Sequence, residues 1–163
     1  MKYIDTSVIV SALDQTDPSN ISSIEVLKSS GKIISELVVT ELTSVLSRNK
    51  NFSTLIDELS GDGASTLYAT ILYIIQRFDI LFLPVQQTSV ETLIGSYSNI
   101  MSFAIEITND VPMRTLDLLH ISYAHAIAES TKSVIEFVTR DREFEVYKSE
   151  IYRTSGIRVH YLA

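Results

Sequence analysis

The sequence predicts an α/β fold, with a short parallel central sheet and helices on both faces, and three observations carry that expectation. Short apolar segments recur along the chain, each separated from the next by a stretch of helical character, the pattern of a parallel sheet covered on both sides. The chain has 163 residues, of which 45% are hydrophobic, so one core and one domain are the default. It has no cysteine, which removes disulfides, thiolate zinc sites, iron–sulfur clusters and thiol nucleophiles together and leaves the core to hold the fold.

The elements follow in order. Residues 2–4 form a short strand ending at Asp5, and Thr6 and Ser7 suit the entry to a helix over residues 7–13. Residues 19–30 form a second helix stopped at Gly31, residues 32–34 a second strand, and Ser35 opens a helix over residues 36–49. A helix-rich stretch comes next: residues 53–59, a break at Gly61-Asp62-Gly63, then residues 64–78, where Leu67, Ile71, Leu72 and Ile75 recur at helical spacing. Residues 51–79 thus read as a helical insertion in a single domain spanning residues 1–163. Residues 80–83, closed by Pro84, are the third strand, and residues 90–108 and 114–129 are two helices separated by Asn109-Asp110-Val111-Pro112. A fourth strand over residues 136–139, a short helix over 142–147 and a fifth strand over 157–161 complete the chain.

Charge and composition exclude several functions. Thirteen Lys and Arg stand against twenty Asp and Glu, a net charge of −7, which argues against a broad cationic surface for duplex nucleic acid or anionic lipid. The start, Met1-Lys2-Tyr3-Ile4-Asp5, meets an acid too early for a secretory signal, so a cytoplasmic location is expected. The longest apolar stretch, residues 67–75, falls well short of the ~20 residues a membrane span needs. A mean hydropathy of +0.19 points to a well-filled core or to an apolar assembly surface. Tyr3, Val8 and the apolar faces of the first helices and of residues 64–78 are the candidates for such a surface. The five glycines form neither a phosphate loop nor a dinucleotide fingerprint, so no nucleotide cofactor is expected. His120, His125 and His160 lack the helical zinc-protease spacing, and there is no G-x-S-x-G elbow.

Four acids stand apart from the rest. Ligands of open α/β sheets bind beyond the carboxyl ends of the strands, which is where Asp5 and Asp141 fall; helix capping is the alternative reading of both. Asp117 shares a helical stripe with His120, Ile121, Ala124 and Ala128, and a carboxylate there costs several kcal/mol unless it is paired, protonated or metal-bound, with His120 or Arg114 as protein partners. Glu41 lies at the border of the stripe Val38, Leu42, Val45, Leu46 and Asn49, with Arg48 as a possible partner. Carboxylates converging at one cleft repel one another, and Mg²⁺ or Mn²⁺ relieves that repulsion while leaving room for a phosphate.

These acids and their surroundings resemble the PIN-domain ribonucleases, in particular the VapC-type toxins of toxin–antitoxin pairs. The resemblance rests on Ile4-Asp5-Thr6-Ser7, on Glu41 within Ser35-Glu36-Leu37-Val38-Val39-Thr40-Glu41-Leu42, on Arg114-Thr115-Leu116-Asp117-Leu118-Leu119-His120 and on Thr139-Arg140-Asp141-Arg142-Glu143-Phe144, in family order over residues 1–144. It implies a PIN-like fold and a metal-dependent endoribonuclease using Mg²⁺ or Mn²⁺ at Asp5, Glu41, Asp117 and Asp141. Asp5 and Asp141 would be direct ligands, Asp117 a ligand or water-positioning group, and Glu41 a ligand through water or a base. Ser7, Thr139 and His120 would support them. It implies further a small antitoxin covering the cleft with a basic side chain reaching the acids, and a homodimer. Two features depart from the pattern: the long stretch from residue 51 to 79, which also suits a stand-alone PIN protein, and an acidic surface, which leaves RNA to a local cluster of Arg48, Lys50, Arg114, Arg140 and Arg142. Of the competing classes, a signalling receiver needs an acidic pair after the first strand and a lysine after the last, and has neither here. A catalytically inactive PIN scaffold that binds protein or RNA is the alternative.

Overall fold

A computed structural model describes residues 1–48 and 63–163. In chain order the elements are β1 (Lys2–Ile4), α1 (Thr6–Leu13), α2 (Asn20–Lys28), β2 (Lys32–Ile34), α3 (Glu36–Arg48), α4 (Gly63–Arg77), β3 (Leu81–Phe82), β4 (Ser89–Thr92), β5 (Gly95–Ser98), α5 (Asn99–Ile107), α6 (Thr115–Thr131), β6 (Glu136–Thr139), α7 (Arg142–Val146), α8 (Lys148–Ser155) and β7 (Arg158–Tyr161). The expected helix over residues 53–59 and the Gly61-Asp62 part of the break lie outside the described residues.

Five strands form one sheet in the order β3-β2-β1-β6-β7, every pairing parallel. Consecutive residues of a strand point to opposite faces, and Tyr3 with Ile4, Ile33 with Ile34, and Phe137 with Val138 are all buried. Both faces are therefore covered, by the apolar sides of helices that contribute Val8, Ile9, Leu27, Val38, Leu42, Leu118, Ile121, Ala124 and Ile127 to the same core. The chain runs outward from β1 through β2 to β3, then crosses back to lay β6 and β7 on the other side of β1. The winding direction reverses between β1 and β6, and a crevice opens at the carboxyl ends of strands at such a point.

Two stretches differ from the sequence reading. Residues 90–108 are not one helix: β4 and β5 form an antiparallel hairpin, and only Asn99–Ile107 is helical. Val90, Leu93, Ile94 and Tyr97 do recur at helical spacing, but Gly95 sits at φ 129, a conformation that favours glycine, and Leu93 and Ile94 form the exposed two-residue tip. The hydroxyl of Ser98 accepts the Met101 N–H and so starts α5 at that point. Residues 148–155, unassigned by pattern, form α8, a polar helix that buries only Ile151 and Ser155 and ends at Gly156 with φ 72.

Tyr3 and Val8, candidates for an assembly surface, are fully buried: Tyr3 because β1 is the central strand and is covered on both faces, and Val8 because it lies on the core side of α1. The α4 expectation fares differently. Ile71 and Ile74 pack inward, whereas Tyr68, Leu72 and Tyr73 face solvent, an apolar set wider than the core stripe requires.

Candidate active site

Asp5, Glu41, Asp117 and Asp141 line one cleft of about 390 Å³ together with Thr6, Ser7, His120 and Arg140. The residues come from four places in the chain: the exit of β1, the middle of α3, the first turn of α6 and the exit of β6. A larger hollow of about 670 Å³ lies beside the hairpin; its His125 stacks on Phe103 and holds the Ser155 carbonyl at 2.9 Å.

Asp5 precedes α1 but its carboxylate does not cap that helix. Instead Oδ2 accepts the hydroxyls of Ser7 and Thr139, each at 2.6 Å. Those hydroxyls are held in turn: Ser7 Oγ accepts the Arg140 N–H at 3.1 Å and Thr139 Oγ1 the Asp141 N–H at 3.0 Å. The exits of β1 and β6 are thus tied together through Asp5, and its Oδ1 lies 3.8 Å from His120 Nε2. Capping does apply to Asp141, whose Oδ1 accepts the Glu143 N–H at 2.9 Å, leaving Oδ2 toward Arg114.

Glu41 is not paired with Arg48, whose Nε is held by the Ser44 carbonyl of its own helix. Its Oε2 accepts Thr6 Oγ1 at 2.5 Å and meets His120 Nε2 at 2.8 Å. Burial pushes the Glu41 carboxyl up, but the His120 hydrogen bond and charge, with the Thr6 hydroxyl, outweigh it and hold the group below its ordinary range. Burial likewise opposes charge on His120, and the hydrogen bond to Glu41 with the charges of Asp5, Glu41 and Asp117 reverses the balance and raises it. The ring is kept in place from behind by Tyr3, whose Oη lies 3.4 Å from Nδ1 and 2.6 Å from Ser35 Oγ. His120 therefore braces Glu41 rather than Asp117, its neighbour one helical turn away.

The partner of Asp117 is Arg114, with Nε 3.4 Å from Oδ2. No hydrogen bond reaches that buried oxygen. Burial, reinforced by Asp141 and Glu143 and only partly offset by Arg114, pushes the Asp117 carboxyl up to about 6. A carboxyl raised from 3.8 binds its proton more tightly folded than unfolded, so its stabilising contribution is present at low pH and is lost as pH rises through about 6. In EDTA, Asp117→Asn is accordingly expected to melt about 2–4 °C above the parent at pH 8, for about 1 kcal/mol after allowance for solvent screening. The difference should close by about pH 4, and calorimetric melting across this range checks it; a variant no more stable at pH 8 would mean the charge is not strained.

Among the described residues, two groups have atoms close enough to share one ion: Asp5, Glu41 and His120, and Asp117, Asp141 and Glu143. Glu143 and Thr6 were not singled out from sequence; both lie within quoted motifs, two residues after Asp141 and one after Asp5. The donors are carboxylate oxygens and one imidazole, a set able to hold a divalent metal ion, and Asp117 Oδ2 is buried without a hydrogen bond. Of the cationic cluster, Arg48 and Arg142 are exposed, and Lys50 lies outside the described residues. Arg140 is committed to Asp17 at 2.6 Å and to Ser19 at 3.1 Å, and Arg114 to the acids.

The PIN domain family model matches residues 2–149. The chain belongs to the PIN domain family. No curated protein matches it in sequence. Among solved structures, this PIN domain is similar to VapBC2 from Rickettsia felis bound to a fragment of promoter DNA, with a TM-score of 0.58 and 17% identity over 100% of both chains. It is similar also to FitAcB from Neisseria gonorrhoeae, with a TM-score of 0.56 and 16% identity over 98% of this chain and 96% of that one. DNA-bound VapBC from Salmonella typhimurium gives 0.56 and 17% over 99% and 98%. At these identities the likeness is one of fold.

Proposed function

We propose that this PIN domain is a Mg²⁺- or Mn²⁺-dependent endoribonuclease that hydrolyses RNA phosphodiester bonds, and that it is the toxin of a toxin–antitoxin pair. The observation that carries the reading is the convergence of Asp5, Glu41, Asp117 and Asp141 on one cleft at the reversal point of the sheet. A divalent cation held there supplies charge neutralisation at the phosphate and acidifies bound water. The chain's own residues do the rest. Ser7 and Thr139 fix Asp5 by one oxygen and leave Oδ1 for the cation. Capping fixes Asp141 by Oδ1 and leaves Oδ2. Asp117 offers Oδ2, which accepts no hydrogen bond, as a ligand or as the group that orients water. Glu41, charged and braced by His120 and Thr6, acts through a water or accepts a proton at a carboxylate oxygen.

RNA reaches the cleft past exposed Arg48, Arg142 and Arg114; Lys50, two residues after Arg48 in sequence, lies outside the described residues and belongs to the cationic rim on sequence alone. The VapBC and FitAcB neighbours support a small antitoxin as partner. The exposed Tyr68, Leu72 and Tyr73 of α4, in the proposed insertion of residues 51–79 within one domain over 1–163, supply an apolar face for a homodimer. Among the described residues no helix is long and apolar enough to cross a membrane, which accords with action in the cytoplasm.

A catalytically inactive scaffold is the second reading, favoured by one observation: His120 and Arg114 already partner the two acid groups. The deciding experiment is cleavage of a quenched fluorescent RNA panel in Mg²⁺, Mn²⁺ or EDTA, beside Asp117→Asn purified identically. Cleavage that needs metal and vanishes in the variant is expected. Equal or absent cleavage in both proteins would move the scaffold reading ahead.

A further inference from the structure

The two acid groups differ in how their cations are held. His120 is buried, with 3% of its side chain exposed, and is fixed from two sides by Glu41 and Tyr3. Arg114 stands at the mouth, with 73% of its side chain exposed, and its guanidinium spans three acids: Nε is 3.4 Å from Asp117 Oδ2, and Nη2 is 3.5 Å from Asp141 Oδ2 and 3.2 Å from Glu143 Oε2. All three separations exceed the roughly 2.7–2.9 Å of a tight charge-assisted hydrogen bond, so the guanidinium is shared among the acids rather than locked to one. These three are also the acids whose atoms lie close enough together to hold one ion, and one of the oxygens Arg114 faces, Asp117 Oδ2, is buried without a hydrogen bond.

We infer that Arg114 is the resident counter-ion of Asp117, Asp141 and Glu143, and that a divalent cation entering this half of the cleft displaces it. The inference rests on the metal-nuclease reading and adds to it an exchangeable site beside a fixed one. Exposed ion pairs are individually weak, worth a factor of about two to five each, so the guanidinium is a competitor that a doubly charged cation outbids. Solvent already surrounds most of the Arg114 side chain. Once displaced, the same side chain stands at the cleft mouth with an unpaired positive charge, where a phosphodiester is its natural partner. Metal loading and capture of the RNA backbone are thereby linked through one residue. Glu143 acquires a part in this as the acid closest to Arg114.

The test is a Mn²⁺ titration of the whole chain followed by the resonance signal of free Mn²⁺, for the parent, Arg114→Gln, Arg114→Lys and Asp117→Asn. Arg114→Gln is expected to bind Mn²⁺ about tenfold more tightly than the parent, as the sum of the ion pairs removed. Arg114→Lys keeps the charge and should shift affinity by about threefold at most. Raising KCl from about 0.05 M to about 0.5 M should shrink the gap between parent and Arg114→Gln, because salt screens exposed pairs. Melting temperatures of both Arg114 variants, expected within about 2 °C of the parent for an exposed site, show that they are folded. Equal affinity in parent and Arg114→Gln, with binding lost in Asp117→Asn, overturns the inference and leaves the metal site standing. Weaker binding by Arg114→Gln overturns it too, since the arginine would then merely organise the acids. If none of the proteins binds Mn²⁺, the metal-nuclease reading falls and takes the inference with it.

Discussion

Asp5→Asn is expected to lower metal-dependent RNA cleavage by about a thousandfold, the equivalent of several kcal/mol of lost charge stabilisation in the transition state. The geometry explains why so small a change matters. Asp5 Oδ2 is the acceptor of two hydroxyls, from Ser7 and Thr139. An amide can satisfy those donors only with its oxygen, which turns its NH₂ toward the place where a cation would sit. Charge is lost and a donor is put in its stead. The fold should survive, because the two strand exits remain joined through the same hydroxyls. Initial rates on an RNA substrate in Mn²⁺, with circular dichroism as a control for folding, check this. A folded variant that cleaves at the parent rate would remove Asp5 from the chemistry.

Phe137→Ala is expected to cost about 3–5 kcal/mol, a large share of the roughly 5–15 kcal/mol that holds a domain of this kind together. Phe137 lies in β6, next to the central strand, and is 1% exposed. Its ring stacks on Tyr3 at 5.5 Å, meets Phe144 at 4.6 Å and approaches His120 at 6.0 Å. Truncation leaves a cavity that close packing on both sides of the sheet cannot fill. The melting temperature should fall by about 6–20 °C, at about 2–4 °C per kcal/mol for a chain of this length. Cleavage should fall as well, since Tyr3 and His120 lose their support. Thermal denaturation beside Phe137→Leu separates the two causes: the leucine variant should recover most of the stability. A fall of less than about 3 °C for the alanine variant would show that the rings do not form the packed unit described.

The legible parts of the sequence share a local cause. Tyr3-Ile4, Ile33-Ile34 and Phe137-Val138 are adjacent apolar pairs, and burial of neighbours on opposite sides of a strand is how a central parallel sheet reads. Asp5 stands out because it follows such a pair directly, Asp141 because it comes three residues after one, and Asp117 because it interrupts an apolar helical stripe. The hairpin at Ser89–Ser98 was hidden because helical spacing and a two-residue turn are compatible with the same four apolar positions, and only the backbone of Gly95 separates them. The α8 helix was hidden because a helix that buries two side chains has almost no apolar periodicity to read.

Which charges meet was legible only within one helical turn, where Arg114 pairs with Asp117 as the spacing suggests. The partner of Glu41 is His120, 79 positions away, not Arg48 on its own helix; Arg140, next to the acids in sequence, turns instead to Asp17, 123 positions away. Glu143 joins Asp117 and Asp141 only because α6 and α7 begin beside one another at the mouth of the cleft. By itself the sequence determined the five strands of the parallel sheet, most of the helices and four of the candidate acids, since these depend on side-chain type and on spacing of a few residues. The tertiary structure alone decided the long-range pairing of charges, Glu41 with His120 and Arg140 with Asp17, because ion pairs act through space over a few ångströms and are indifferent to distance along the chain.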